Sequence, residues 1–474
     1  MRHWLGAGLI ASQLLACGAG PGDPGTASTH AGINVLLLTI DTLRADHLTC
    51  YGYPRKTSPA MDGLASRGVL FDNAFTYWPK TRASFAAMFT SLYASQHGLT
   101  VRERDLPDYN QTLAEALKES GYQTAAAVDN GNLDRQLGFS QGFDRYLQVW
   151  DDGGTEADRT ERLTDFATGF LETYQETDPF FLWIHYVNPH TPYEPPEELL
   201  DLFREDGVVP RGPKLEPVIG YHGGVNRHLP GAGTSYWGDY VDRYDGEVAF
   251  ADREIGRVLE ALEKSSHRDS TLIVLTSDHG ESLGEHDYYF DHGYDLFDPS
   301  LRVPLILAFP GILPQGEIVQ SAVSTLDIFP SVLDLAQVTF PPGLQGRSLL
   351  PLVRRTEEQL HERLFFQNDQ HQVGISNGRL KLILYPQTEQ AESYYELYDT
   401  WRDPGELDNR YPASQQAVAP LQAELGSFRT RTVAWQQETD RRRREAPARQ
   451  DVELSEETLR NLEALGYLSK GGER

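Results

Sequence analysis

Two carboxylates and an imidazole stand at the ends of apolar runs that are far apart in the chain. Asp41 follows Val35-Leu36-Leu37-Leu38-Thr39-Ile40, and Asp278-His279 follow Thr271-Leu272-Ile273-Val274-Leu275-Thr276-Ser277. Between them in sequence, Thr81 opens a helical pattern. Oxygen, oxygen and imidazole nitrogen form a donor set for a divalent cation. A hydroxyl at a helix start is placed to be a nucleophile.

The elements that must position these groups can be read from the same runs. Phe180-Phe181-Leu182-Trp183-Ile184 leads to His185 and then Pro189-His190, and Val303-Pro304-Leu305-Ile306-Leu307 is a further run. Continuous apolar runs suit strands buried on both faces of a mostly parallel sheet. Helical patterns at 112–120, 244–264 and 327–336 alternate with them. The expectation is an α/β domain over 33–352, a mostly parallel central sheet sandwiched by helices. Sites in such sheets form beyond the carboxyl ends of strands, where Asp41, His190 and Asp278-His279 all fall. After Leu352 the pattern changes. Short strands at 374–383 and 396–399, a turn at Asn377-Gly378 and a helix at 417–435 read as a smaller α+β subdomain over 353–440. A basic run at 441–444, read as solvated, and a last helix at 455–465 complete residues 441–474.

The chain has 474 residues and a formal net charge of −27, which argues against nucleic-acid binding. Attraction for an anionic substrate must therefore be local. Arg2, a short apolar stretch from Trp4, and Leu14-Leu15-Ala16-Cys17 read as a bacterial lipoprotein signal over 1–17. The expected product is exported and tied to a membrane by a lipid on Cys17, facing periplasm or exterior. Residues 18–32, rich in Gly, Pro, Ser and Thr, read as a tether. An ordinary cleaved signal is the alternative. Either way Cys50 is left without an intrachain partner.

Several motifs, in order and covering nearly all of the chain beyond the tether, carry a resemblance. They are Asp41-Thr42-Leu43-Arg44-Ala45-Asp46-His47-Leu48 with Tyr51-Gly52, His185-Tyr186 with Pro189-His190-Thr191-Pro192-Tyr193, and Tyr244-Asp245-Gly246-Glu247-Val248. Then come Ser277-Asp278-His279-Gly280-Glu281 with Gly284-Glu285-His286, Gly346-Arg347-Ser348-Leu349-Leu350, and Glu396-Leu397-Tyr398-Asp399 with Asp403-Pro404-Gly405-Glu406. Together they resemble the sulfatase family of the alkaline phosphatase superfamily.

The departure is at the nucleophile. Family sulfatases carry Cys or Ser, oxidised to formylglycine, with Pro two residues on and Arg four residues on. Aligning Thr81-Arg82-Ala83-Ser84-Phe85 with that motif keeps residues 86–93 in register and puts Thr81 at the nucleophile, Ala83 at Pro and Phe85 at Arg. A register that matches Arg82 to the family Arg would put Trp78 at the nucleophile and break the downstream match. Threonine cannot become formylglycine, so none is expected here. A formylglycine hydrate expels sulfate by breaking its own C–O bond, whereas a Thr ester needs a second attack by water. The resemblance to Thr-using relatives, phosphodiesterases and lipoteichoic-acid-type phosphoglycerol transferases, therefore implies phosphodiester or phosphonate-type esters. A sulfate ester is the alternative. A non-catalytic ligand-binding relative is a third reading.

The resemblance implies roles. Asp41, Asp278 and His279, with Thr81 as fourth ligand, would hold one divalent metal. Ca, Mg, Mn and Zn are not distinguished, and Thr42 stands where many sulfatases have a second Asp. His190 and His292 are candidate catalytic contacts, and Asn130, after a strand at 124–128, a candidate substrate contact. Asp291 replaces a Lys of many sulfatases, which disfavours a doubly charged ester group or offers a second metal ligand. His185 is expected behind the ligands. His47, His97 and Arg44 read as structural, and Gly280 and Gly293 as tight-turn glycines. Tyr193 and the stretch 201–240 are expected at the substrate rim.

Overall fold

In a computed structural model, residues 32–99, 105–204, 206–215, 236–389, 391–446 and 453–468 are described. The signal over 1–17, Cys17, nearly all of the tether and much of the rim at 201–240 lie outside the described residues. Among the described residues, no helix is long and apolar enough to cross a membrane.

The central sheet has eight strands: β1 (Asn34–Ile40), β2 (Val69–Phe71), β3 (Gln123–Val128), β4 (Arg145–Gln148), β5 (Phe180–Tyr186), β6 (Thr271–Ser277), β7 (Leu305–Ala308) and β8 (Glu317–Val319). Their order is β8-β2-β7-β6-β1-β5-β3-β4. β1 lies between β5 and β6 and is parallel to both, so Thr39 sits beside His185 and Thr276, and Ile40 beside Tyr186 and Ser277. That register brings Asp41 and Asp278 to one edge of the sheet.

Alternate residues of β1 enter opposite cores. Val35 and Leu37 pack on one face, Leu36, Leu38 and Ile40 on the other. Helices cover both faces: α1 (Pro59–Ser66), α2 (Thr81–Thr90), α3 (Leu113–Glu119), α4 (Glu156–Thr173), α5 (Trp237–Lys264) and α6 (Ile328–Ala336). This is the sandwiched, mostly parallel α/β sheet that the sequence predicts.

Three details differ. β7 is antiparallel to both β6 and β2. The chain leaves β6 and comes back without a crossover helix, so the next strand in this sheet runs the other way. The run at 303–307 is split at Pro304, and Arg302–Val303 joins a separate small sheet. Third, α5 begins at Trp237, because Tyr240 and Val241 continue the buried stripe of Tyr244 and Val248.

The C-terminal part is a four-stranded antiparallel sheet, β9 (Leu364–Gln367), β10 (Val373–Ser376), β11 (Leu380–Tyr385) and β12 (Tyr394–Asp399), with the long helix α7 (Ala419–Glu445). Lys381 ties this sheet to the larger α/β part. Its buried ammonium contacts Asp298, Glu406 at 2.7 Å and the Leu296 carbonyl at 3.1 Å. The run at 441–444, read as solvated, lies in the last turns of α7, where Arg443 pairs with Asp105 at 2.9 Å. α8 (Glu456–Ala464) is capped by the Ser455 hydroxyl, which accepts from the Thr458 N–H.

His97 packs fully buried at the end of a short helix. Its Nδ1 accepts from the Leu99 N–H, and its Nε2 has no partner among the described residues. Burial pushes this imidazole down from 6.5 to about 3. A folded value below the unfolded one gives stability that is complete above pH 6.5 and lost as pH falls toward 3. The loss by pH 5 is about 2 kcal/mol. The wild-type advantage over His97→Asn in urea-unfolding free energy is therefore expected to shrink by about that amount between pH 7.5 and pH 5. An unchanged difference would refute the assignment.

Candidate active site

The metal-type cluster forms where β1 and β6 end. The ligand atoms of Asp41, Asp278 and His279 lie within 4.8 Å of one another, all buried. His279 Nε2 is 3.7 Å from Asp41 Oδ1 and 3.4 Å from Asp278 Oδ2. Those two carboxylate oxygens have no hydrogen-bond partner among the described residues. Buried oxygens of this kind are costly unless something cationic meets them.

The surrounding contacts orient each group. His279 Nδ1 is 2.9 Å from the Gly280 carbonyl, so a proton there leaves the Nε2 lone pair facing the carboxylates. Asp41 Oδ2 accepts from Asn130 Nδ2 at 2.6 Å and lies 3.5 Å from His185 Nε2. Asp278 Oδ1 accepts from its neighbour's N–H, His279, at 2.9 Å. Thr42 takes a left-handed conformation (φ 52°), and its buried hydroxyl has no partner among the described residues. A β-branched residue in that region is strained, a feature that collects at functional sites.

Electrostatics favour a cation here. Burial and the charge of Asp41 push the Asp278 carboxyl well above its usual range. Burial also works to raise Asp41, but His185, His190 and His279 outweigh it and hold Asp41 at about 2. Burial lowers His279 from 6.5 to about 4, so its ring is neutral and able to ligate near pH 7. Two like charges this close do not both ionise without a counter-charge. The donor set and its orphaned oxygens fit a divalent cation.

Thr81 is the first residue of α2, and its Oγ1 lies 3.4 Å from His279 Nε2. The free N–H groups of the helix start share that side. Ser84, one turn on, donates to the Asp278 carbonyl at 2.6 Å and locks α2 to the strand end. Phe85, in the place of the family Arg, is wholly buried and packs edge-on against His185, with ring centroids 4.9 Å apart. It brings no charge to the site.

His190 and His292 reach the same space, their ring centroids 5.1 Å apart. His190 Nδ1 is 2.5 Å from the Thr191 carbonyl, and His292 Nδ1 is 3.4 Å from Glu281 Oε1. Each ring therefore turns Nε2 toward Thr81's side. Glu281 is held in turn by the Tyr193 hydroxyl, so Tyr193 reaches the site through Glu281. Asp291 accepts from the His292 N–H at 2.8 Å and is not among the clustered ligands of the described residues.

His47 Nδ1 is 2.7 Å from Asp245 Oδ1, and Arg44 lies in ion pairs with Asp46 and Glu285. Gly293 has φ +86°, as a turn glycine would. Gly280 is needed for a different reason: a Cβ there would meet the Pro299 carbonyl oxygen at 2.0 Å.

One residue at the site was missed by the sequence reading. Tyr467, just past α8, places its hydroxyl 3.1 Å from Thr81 Oγ1, 2.9 Å from His190 Nε2 and 3.4 Å from His292 Nε2. Only the Gly466 turn signal marked its neighbourhood, and nothing in the pattern aimed it inward.

The chain belongs to the sulfatase family: residues 33–338 match the family model described as Sulfatase. Residues 284–431 match the one described as N-sulphoglucosamine sulphohydrolase, C-terminal. It is similar to an N-acetylglucosamine-6-O-sulfatase of Bacteroides thetaiotaomicron, 25% identical, with 81% of this chain and 83% of the relative covered. It is 28% identical to iduronate 2-sulfatase of Homo sapiens, covering 74% of this chain and 72% of that one. Among solved structures, a complex with D-glucosamine-2-N,6-O-disulfate, described as that protein's substrate, shares the fold. Its TM-score is 0.69 at 24% identity, covering 86% of this chain and 99% of that one. The phosphonate monoester hydrolase of Agrobacterium radiobacter also shares it, with TM-score 0.67, 21% identity and coverage of 86% and 96%.

Proposed function

We propose that this sulfatase-family hydrolase is metal-dependent and works through a covalent ester on Thr81, with phosphodiester or phosphonate-type esters as its preferred substrates. The observation that carries the reading is the Thr81 hydroxyl, at the start of α2 and 3.4 Å from His279 beside two unpartnered carboxylate oxygens. A divalent cation held by Asp41, Asp278, His279 and the Thr81 oxygen would lower the hydroxyl's pKa and neutralise charge on a substrate oxygen.

The chain's own residues supply the rest. The helix start orients the anionic group toward Thr81. The Thr81 oxygen bonds to phosphorus while the bond to the leaving oxygen breaks. Nε2 of His190 or His292 can take the Thr81 proton and return it to the leaving oxygen. Water then attacks phosphorus and frees the Thr81 oxygen, which regains a proton. Asn130 holds Asp41 and faces the transferred group.

Two features support phosphorus over sulfur. Threonine has no formylglycine-like exit, so the covalent ester must be opened by a second attack at the central atom. The phosphonate monoester hydrolase fold is also among the structural neighbours. The sulfatase names of the relatives support sulfate esters as the second reading. A panel of p-nitrophenyl sulfate, p-nitrophenyl phosphate, bis-p-nitrophenyl phosphate and a p-nitrophenyl phosphonate separates them. Diester or phosphonate kcat/KM is expected to exceed the others by about tenfold or more. Dominant sulfate turnover that vanishes in Thr81→Ala would overturn the bond preference. No turnover together with no bound metal would point to a ligand-binding relative.

A further inference from the structure

We propose that Tyr467 is a gating residue, its hydroxyl filling the subsite where an oxygen of the transferred group binds, so that substrate binds by displacing it. The proposal rests on the reading of Thr81, His190, His292 and Asn130 as substrate contacts.

Three of these four converge on one atom. Tyr467 Oη lies 3.1 Å from Thr81 Oγ1, 2.9 Å from His190 Nε2 and 3.4 Å from His292 Nε2. A phosphoryl or sulfuryl group ready for attack places its reacting atom about 3–3.5 Å from the nucleophile. Its oxygens must then lie where the phenol oxygen lies. The two cannot share that space.

The segment carrying Tyr467 docks through specific contacts. Thr458 is fully buried, donates to Asp134 Oδ2 at 2.6 Å and accepts from the Trp150 indole at 3.1 Å. Asn461 Oδ1 accepts the Gly131 N–H at 2.7 Å. Leu462 lies so close that a Cβ on Gly131 would meet its Cγ at 3.0 Å. This latch grips the turn immediately after Asn130. Gly466, at φ +78°, then bends the chain so that Tyr467 enters the site.

A glycine beside the inserted side chain supplies a hinge, and α8 can remain docked while Tyr467 withdraws. The closed state competes with the anion, so apparent affinity is reduced by the fraction of molecules that are open. Breaking the phenol's hydrogen bonds raises that fraction.

The test is orthovanadate binding to the full-length protein, by titration calorimetry, in Mg²⁺, Mn²⁺, Ca²⁺ and Zn²⁺ in turn. Tyr467→Phe and Tyr467→Ala are expected to bind vanadate about tenfold more tightly than wild type. Asn461→Ala, which loosens the latch and touches none of the four contacts, is expected to bind about threefold more tightly. Hydrogen exchange at 466–468, beyond the docked α8, should rise when wild type binds vanadate. Equal vanadate affinity in wild type and variants overturns the gate and leaves the site reading standing. A fall in kcat of about a hundredfold in Tyr467→Phe, with vanadate affinity unchanged, overturns it in favour of a catalytic phenol. Absence of vanadate binding in every variant overturns both readings. Slower exchange on binding overturns the gate as well.

Discussion

Thr81→Ala is expected to lower kcat by about a thousandfold or more on the best substrate of the panel, with metal binding weakened only modestly. The asymmetry follows from position. On the proposed reading Thr81 is both the attacking group and one of four ligands, while Asp41, Asp278 and His279 form a cluster without it. Removing the hydroxyl deletes the covalent route and leaves three donors in place. Thr81→Ser is the informative companion, because it keeps the hydroxyl and loses a methyl. Thr81 is wholly buried, so that methyl holds the χ1 rotamer that aims Oγ1 at His279. Serine is expected to keep activity within about tenfold of wild type. Rapid quench on a phosphodiester should trap a phosphoryl group on residue 81 in wild type and Thr81→Ser, and none in Thr81→Ala. Full turnover in Thr81→Ala would remove the residue from the chemistry.

What the sequence made legible follows from where the physics is local. Strands buried on both faces write themselves as unbroken apolar runs, so β1, β5 and β6 could be found and their carboxyl ends named. The residues expected there, Asp41, His190, Asp278 and His279, converge because parallel neighbours in register bring their ends together. The direction of β7 was not legible, since an apolar run looks the same either way and only the connection decides it. β9 was missed for a different reason: Leu364-Phe365-Phe366-Gln367 is only four residues long, too short for its pattern to stand out even with Asn368-Asp369 after it. Tyr467 was the costlier omission. Its role depends on α8 docking beside Asn130, a contact between distant segments that leaves no period or spacing in the chain. Gly280 was identified with the wrong cause. A glycine demanded by an opposing carbonyl and one demanded by positive φ read alike until the neighbour is known.

Asp278→Asn is expected to separate metal binding from folding. In the metal-free protein, the Asp278 carboxyl is buried beside Asp41, with Oδ2 unpartnered and its proton affinity raised by burial and by that neighbour's charge. An amide of the same shape carries no charge to desolvate and no repulsion from Asp41. The metal-free variant should therefore be as stable as wild type or more so, in the manner of other sites where function is held at a cost to stability. Adding the cation should reverse the order. Wild type gains RT ln(1 + [M]/Kd), about 2.7 kcal/mol at a hundredfold excess over Kd. The variant has lost one anionic donor, and its metal affinity should fall by about a hundredfold or more, so it gains little at the same concentration. Thermal melts with chelator and with each divalent ion in turn, beside turnover on the best ester, give both readouts. The expected pattern is a crossing: variant at or above wild type with chelator, wild type above variant with the ion, and activity only where wild type is stabilised. A variant that responds to the ion like wild type would place the cation elsewhere, because no ligand set built on Asp41, His279 and Thr81 could lose this carboxylate unnoticed.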